Sequence, residues 1–410
     1  MLGLEKKHLI FIILSFLGYV IFAIYFNWFG TTASVMMAYY NITSAQQGLI
    51  FTVQSVGGLI MAVFFAFQGE RFNKINMISA AIFTVGGTAL AVALAPPYAV
   101  LLLLVVAGGA GCSTIDVMMN SMIPELYPKQ KNTLLPVAHG FFGTGALTAP
   151  LLITALVDPA APRSFTRPFV WIGVIGVCVF AAFLIFSRRI LSDTPYSDKF
   201  ILKRHTPDKP AEIFTYKKAW MFLAAGFTYF SFQIGIMSWL PTYCEEVGMS
   251  FSTSGAVLTA FFVGSLLMRF SGPLILKKLK ACDMFILFGL LSAAVVSAAL
   301  FFPSAIMPLI AAGGFMQGSC VALLVLMATD AFPNRIASAS SLTFISANAA
   351  SMTAPFWMGS LAQVTGFRIP LLIACGLLVC SVALITRITK WSRAFSDDRY
   401  IDKSERLTIL

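Results

Sequence analysis

Apolar residues run through this chain in long blocks, with polar residues gathered in short stretches between them. Twelve blocks approach the ~20 residues a helix needs to cross a bilayer. They fall at 9–29, 47–68, 76–96, 98–122, 133–157, 168–187, 217–240, 253–276, 283–303, 305–329, 337–363 and 367–388. The pattern predicts an all-α membrane protein of twelve transmembrane helices. The first block follows Lys6-Lys7-His8, is too long for a signal-peptide core and lacks a small-residue cleavage site, so it reads as the first span.

The longest polar stretch, "RRILSDTPYSDKFILKRHTPDKPAEIFTY", covers 188–216 and divides the spans six and six. The expected organisation is an N-terminal bundle over 1–187, a linker over 188–216, a C-terminal bundle over 217–390 and a tail over 391–410. An internal repeat supports the division. Gly108-Gly109 followed by Glu125-Leu126-Tyr127-Pro128 matches Gly313-Gly314 followed by Asp330-Ala331-Phe332-Pro333, at a shift of 205. "TAP" at 148–150 recurs at 353–355 with the same shift, and "VGGLIM" at 56–61 recurs as "VGSLLM" at 263–268 with a shift of 207. Two six-helix halves of the same in/out sense are parallel repeats, with a substrate site expected near the midplane between them. The pattern therefore predicts a secondary transporter working by alternating access.

Composition agrees with a bilayer environment. The chain is 58% hydrophobic and 11% charged over 410 residues, against roughly a quarter charged in soluble domains. A net charge of +11 invites a nucleic-acid reading, but its distribution argues for topology instead. Of the 28 Lys and Arg, all but Arg163, Arg167 and Arg368 fall on the side that carries both termini, counting Arg269 near the inner end of the eighth span. This positive-inside bias places the termini in the cytoplasm and the protein in the cell (inner) membrane. Arg163 and Arg167 read as solvated loop residues. The seven cysteines show no metal-ligand spacing and read as small core residues. The three histidines are scattered, so neither a metal nor a cofactor is expected.

Several stretches resemble the major facilitator superfamily over essentially the whole chain. The loop after the second span, "AFQGERFNK", is a degraded version of that family's Gly-x-x-x-Asp-Arg-x-Gly-Arg/Lys signature: Ala66, Glu70 and Asn73 replace its glycine, aspartate and glycine, while Arg71 and Lys74 remain. Its counterpart "GPLILKKLK" sets Lys277 opposite Glu70. The resemblance implies that Glu70, Arg71, Lys74 and Lys277 form a cytoplasmic gate that latches the halves in one state. Spans four and five are similar to the fucose-permease-like sugar:proton symporters, through Gly109, Gly111, Asp116 and Asn120, then "NTLLPVAHGFFGTGALTAP". Asp116 stands where that branch usually carries Glu, and Pro136 where it carries an apolar residue.

Three ionisable groups interrupt the spans at similar depth. Asp116 precedes Glu125 by nine residues, His139 follows Asn132 by seven, and Arg269 precedes Lys277 by eight. At ~1.5 Å per residue they lie roughly 10–14 Å from the inner surface. An ionisable residue within a membrane span marks a functional site by default. The family layout implies that Asp116 faces Arg269 or His139. Burial raises a carboxylate's pKa and a nearby cation lowers it, so alternating exposure suits Asp116 to carry a proton. The competing reading is a fixed Asp116–Arg269 ion pair. His139 is a candidate second proton site, or simply bonds a helix carbonyl.

Asn120 lies one turn from Asp116 and offers an amide to the hydroxyls of a sugar, or an interhelical bond. Gln54, Gln233, Gln317 and Asn348 carry the same two readings. Position 321, equivalent to Asp116 in the repeat, is Val, so the proton chemistry is one-sided. Tyr25 and Trp239 are candidate aromatic surfaces for a sugar. Trp28 and Tyr243, also at span ends, read as interfacial belt residues, and Phe141 and Phe142 as packing.

These features favour proton-coupled symport of a small polyhydroxylated solute, such as a monosaccharide. Strongly anionic substrates call for two or more convergent cations, and the spans offer only Arg269. The alternative is a proton-driven efflux antiporter for lipophilic compounds, to which one buried acid and 18 Met are equally suited. No G-x-S-x-G or H-E-x-x-H occurs, which argues against an enzyme. A self-contained six-plus-six design makes a monomer sufficient.

Overall fold

Hydrocarbon offers no partner for backbone amides, so an apolar spanning chain must close its hydrogen bonds within itself. The computed structural model describes residues 6–68, 72–127, 130–193, 210–332 and 336–405, and they contain helices and no strand. The helices are α1 (Lys6–Thr31), α2 (Ala33–Tyr40), α3 (Ser44–Gln68), α4 (Lys74–Ala93), α5 (Tyr98–Leu126), α6 (Lys131–Leu156) and α7 (Thr166–Asp193). After a 3-10 turn at Pro210–Thr215 come α8 (Lys217–Glu246), α9 (Phe251–Ile275), α10 (Ala281–Phe301), α11 (Ile306–Gln317), α12 (Cys320–Ala331), α13 (Ile336–Thr365) and α14 (Arg368–Glu405).

Among the described residues, 11 helical segments are long and apolar enough to cross a membrane. The expected span at 337–363 is present as α13, 30 residues long. It is not among the 11 because Ser, Thr and Asn dilute it. The tenth span, expected as one helix, is two: α11 ends at Gln317 and α12 begins at Cys320. Its break lies against α9, where a Cβ on Gly318 would collide with the Ser265 carbonyl and Ser319 Oγ donates to Met268 O at 3.2 Å. The last helix continues past its span to Glu405. The interfacial reading of Trp28 and Tyr243 is corrected, since both are fully buried. Trp28 stacks on Phe169 of α7, with ring centroids 3.9 Å apart.

The chain divides into two compact units. One comprises Met1–Thr206, Gly235–Phe262 and Ser351–Pro370, the other Pro207–Ile234, Val263–Ala350 and Leu371–Leu410. In the first unit α3 pairs with α5, α4 with α5 and α7, and α1 with α6 and α7. Glycines set the closest crossings. A Cβ on Gly57 of α3 would collide with Val106 O and stand 3.0 Å from Ala110 N of α5. In the second unit a Cβ on Gly264 of α9 would strike Ala311 O and stand 2.6 Å from Phe315 N of α11. Both pairs are related by the offsets of 207 and 205 found in the sequence.

The end of the first unit at which α1 finishes also holds segments of α8, α9 and α13. Ser44 Oγ donates to Gly359 O at 2.6 Å and Thr52 Oγ1 to Met352 O at 2.5 Å. A Cβ on Gly48 would strike the Pro355 carbonyl, and one on Gly255 would strike Thr154.

Candidate proton and substrate site

The first unit holds a connected polar cluster. Tyr19 Oη of α1 donates to Asp116 Oδ1 of α5 at 3.1 Å. Asn120 Nδ2 donates to the same oxygen at 3.0 Å and to the Asp116 carbonyl at 3.0 Å. The Asn120 Oδ1 in turn lies 3.2 Å from His139 Nε2 of α6. The Tyr19 and His139 rings sit 5.7 Å apart, which closes the group on itself.

Local sequence explains the convergence. Asp116 and Asn120 are one turn apart on α5 and share a face. α1 and α6 pack tightly beside it, because Gly145 lets α6 approach until a Cβ there would stand 2.7 Å from Val20 O. Phe141 packs on Phe16 and Phe142 on Phe22, with ring centroids 5.2 Å and 4.9 Å apart. Asp116 is half-buried, and His139 is exposed at the edge of the cluster. Such a carboxyl has two neutral donors and, one amide away, an imidazole. It can lose or gain a proton while remaining hydrogen-bonded. The Asn120 amide is engaged at both ends, so it bridges acid and imidazole.

The other sequence candidates lie apart from this cluster. Gln54 is buried on α3, its backbone carbonyl against Gly109. Tyr25 is buried with its Oη against Gly108. Trp239 is buried, donates Nε1 to Pro355 O at 3.0 Å and stacks on Phe367 at 4.8 Å. In the second unit Gln317 Oε1 accepts from Tyr229 Oη at 2.6 Å. Arg269 is exposed, with Tyr229 as an electrostatic neighbour. Gln233 is half-buried on α8, and half-buried Asn348 returns its amide to Phe344 O at 2.9 Å.

Of the residues expected from the family signature to gate, Glu70 and Arg71 lie outside the described residues. Lys74 is buried at the start of α4 and Lys277 is exposed in the turn after α9. Asn73, which replaces a glycine of the loop signature, caps α4 by accepting from Ile75 N at 3.0 Å and Asn76 N at 3.2 Å. Beyond the span of α5, Tyr127 Oη meets His8 Nδ1 of α1 at 3.0 Å. Burial pushes that phenol above its ordinary range.

Residues 15–310 match the family model described as Major Facilitator Superfamily. The chain belongs to that superfamily. A curated relative, the cis,cis-muconate transport protein of Acinetobacter baylyi, is 22% identical over 323 residues, covering 73% of this chain and 74% of the relative. Among solved structures, a bacterial homolog of the human lysosomal transporter Spinster, inward-facing and occupied, superposes with a TM-score of 0.77 at 16% identity over 95% of this chain and 98% of that one. A D-xylose-proton symporter gives 0.69 at 15% identity, covering 93% and 97%. The E. coli fucose:proton symporter gives 0.60 at 16%, covering 94% and 99%. At these identities the structures establish the shared fold, which includes sugar symporters.

As a superfamily member the protein is a multi-pass membrane transporter. Sequence reasoning missed Tyr19, the remaining donor to Asp116. One tyrosine in an apolar span carries no mark that it faces a carboxylate. The one available signal was its depth: Tyr19 is eleven residues into α1 from His8, as Asp116 is eleven from Tyr127 on α5.

Proposed function

We propose that this protein is a proton-coupled symporter for a small polyhydroxylated solute such as a monosaccharide. The observation carrying this reading is the Tyr19–Asp116–Asn120–His139 cluster, a proton-accepting carboxylate held by neutral donors within an apolar bundle. Asp116 takes the proton, Tyr19 and Asn120 orient it, and His139 answers its charge through Asn120. Gln54, Gln233, Gln317 and Asn348 are amides suited to solute hydroxyls, and Arg269 is a cation suited to substrate or coupling. The fold shared with xylose and fucose proton symporters supports the reading.

Alternating access proceeds between the halves 1–187 and 217–390, with Glu70, Arg71, Lys74 and Lys277 as the cytoplasmic gate. Both termini lie in the cytoplasm, and a monomer suffices. A second reading is uptake of an organic acid. It is favoured by the muconate transporter among the relatives.

The test is uptake into proteoliposomes of labelled monosaccharides and of muconate, with and without an inward proton gradient, for wild type and Asp116→Asn. A sugar concentrated only with the gradient, and merely exchanged by the variant, supports the proposal. Accumulation of muconate alone supports the organic-acid reading. Extrusion of a lipophilic dye with no solute uptake overturns both.

A further inference from the structure

At the end of the first unit where α1 finishes, two helix crossings are related by the internal repeat. α3 meets α13 and α9 meets α6, with Gly48 and Gly255 matching at the offset of 207, and Pro150 and Pro355 at 205. Each crossing joins a helix of one sequence half to a helix of the other. The first is bolted. Ser44, Gly48 and Thr52 follow one another at four-residue spacing and share a face of α3. They lie against Gly359, Pro355 and Met352 of α13. Ser44 Oγ donates to Gly359 O at 2.6 Å and Thr52 Oγ1 to Met352 O at 2.5 Å. A Cβ on Gly48 would stand 2.5 Å from Pro355 O, and Trp239 of α8 braces that carbonyl through Nε1 at 3.0 Å.

The matching residues of the second crossing are Phe251, Gly255 and Thr259 on α9, and Thr154, Pro150 and Leu147 on α6. This crossing is wider. A Cβ on Gly255 would stand 3.3 Å from Pro150 O and would strike the Thr154 methyl first. Two residues account for the gap. Thr154 stands where α13 has Gly359, and its hydroxyl returns to Pro150 O at 3.0 Å, which leaves the methyl toward Gly255. Phe251 stands where α3 has Ser44, so the donor is missing, and its side chain packs on the core of the first half. Thr259 keeps the hydroxyl of Thr52. It is 8% exposed, and its Oγ1 is buried without a hydrogen-bond partner. Buried polar atoms in folded proteins are almost always paired. The acceptor that the repeat assigns to Thr259 is Leu147 O, the counterpart of Met352 O.

We propose that the two crossings form an unequal gate. The α3–α13 crossing is its fulcrum, and the α6–α9 crossing is the side that parts to admit solute. The Thr259 hydroxyl bonds Leu147 O only when that side shuts fully. This rests on the alternating-access reading above and goes beyond it by assigning which crossing moves. α6 also carries His139, eight residues from Leu147, so parting here displaces a helix that contributes to the proton cluster.

The experiment measures distances by double electron–electron resonance in the full chain in nanodiscs. Spin labels are carried on a genetically encoded ketone side chain, which leaves the seven cysteines in place. Labels at Gln46 and Gln363 report α3–α13, and labels at Ala155 and Ser252 report α6–α9; all four positions are exposed. A third pair at Asn76 and Lys277, also exposed, reports the opposite ends of the helices. One narrow distance is expected for the α3–α13 pair and two distances for the α6–α9 pair. Thr259→Val replaces an unpaired hydroxyl by a methyl. It is expected to keep the melting temperature and to lower the short-to-long ratio of the α6–α9 pair about fivefold, the effect of one neutral hydrogen bond. Thr52→Val is expected to lower the melting temperature and broaden the α3–α13 distance. Thr154→Ala removes the propping methyl and raises the short-to-long ratio at α6–α9. Equal breadth at the two crossings overturns the proposal, as does an α6–α9 distribution that neither Thr259→Val nor Thr154→Ala alters. Single distances for all three pairs would sink alternating access itself. Two distances at Asn76 and Lys277, beside an α6–α9 pair as narrow as the α3–α13 pair, would sink the unequal gate alone.

Discussion

The fourth and fifth spans of the two halves share glycine and proline landmarks but carry opposite chemistry. α5 runs unbroken and holds Asp116 and Asn120, while α6 brings His139. At the matching offsets α12 has Val321 and Val325, and α13 has Phe344. The backbone crossings at Gly57 and Gly264 are nonetheless equivalent down to the two atoms each would strike. The comparison separates two kinds of constraint. Crossings must be repeated because each half has to pack its own helices. An ionisable group is costly in a bilayer, and the proposed proton cycle needs only one.

The sharpest break of this asymmetry is at its centre. Asp116→Asn is expected to cut gradient-driven accumulation by at least about tenfold while leaving solute exchange, because only the step that needs the proton is lost. Val321→Asn in the other half leaves accumulation within about twofold. Equal losses from both would show that the halves share the coupling chemistry. In contrast, the glycines test what the halves have in common. Gly57→Val and Gly264→Val should each cost roughly 1–3 kcal/mol through overpacking against backbone, read as matched drops in melting temperature in detergent. A neutral result at either site breaks the equivalence of the crossings.

Tyr19 and Tyr229 offer a finer comparison. Both are buried tyrosines from the first helix of a half, but one donates to a carboxylate and the other to the Gln317 amide. Hydrogen bonds to charged groups contribute about 1.5–3 kcal/mol and neutral ones about 0.5–1.5. Tyr19→Phe should therefore lower proton-driven uptake by about tenfold, since 1.4 kcal/mol is a factor of ten. Tyr229→Phe should lower melting temperature with coupling intact. If Tyr229→Phe uncouples transport, the second half takes part in proton handling.

Much of this was legible in the sequence because it depends on depth along a helix. Apolar block length gave the spans, a constant offset gave the repeat, and counting from polar ends placed Asp116 and His139 at one level. Azimuth was not legible. Trp28 and Tyr243 sit at span ends, where depth alone suggests a lipid interface, yet they face protein. Tyr19 sits in a span whose apolar residues run all the way round, so no stripe shows which face meets α5. The break between α11 and α12 was legible only in part: Gly318-Ser319 is a Gly/Ser pair of the kind at which helices kink, but the close approach to α9 there is not written in the pattern.

The smallest expected effect concerns how the third helix of each half begins. Asn73 and Lys280 occupy matching positions at the offset of 207. Asn73 accepts from two first-turn amides of α4, whereas Lys280 makes no side-chain cap to α10, whose first turn carries Asp283 instead. Loss of an Asn cap costs about 1 kcal/mol, while a single acidic residue in a first turn contributes about 0.3–1 kcal/mol through the helix dipole. Asn73→Ala should thus lower melting temperature measurably, Asp283→Asn by less, and Lys280→Ala should change nothing. The ordering matters for the loop before α4, where the family signature has a glycine. If Asn73→Ala is neutral in stability but alters transport, the replacement serves the gate. If it lowers stability and leaves transport unchanged, the asparagine is there to start the helix.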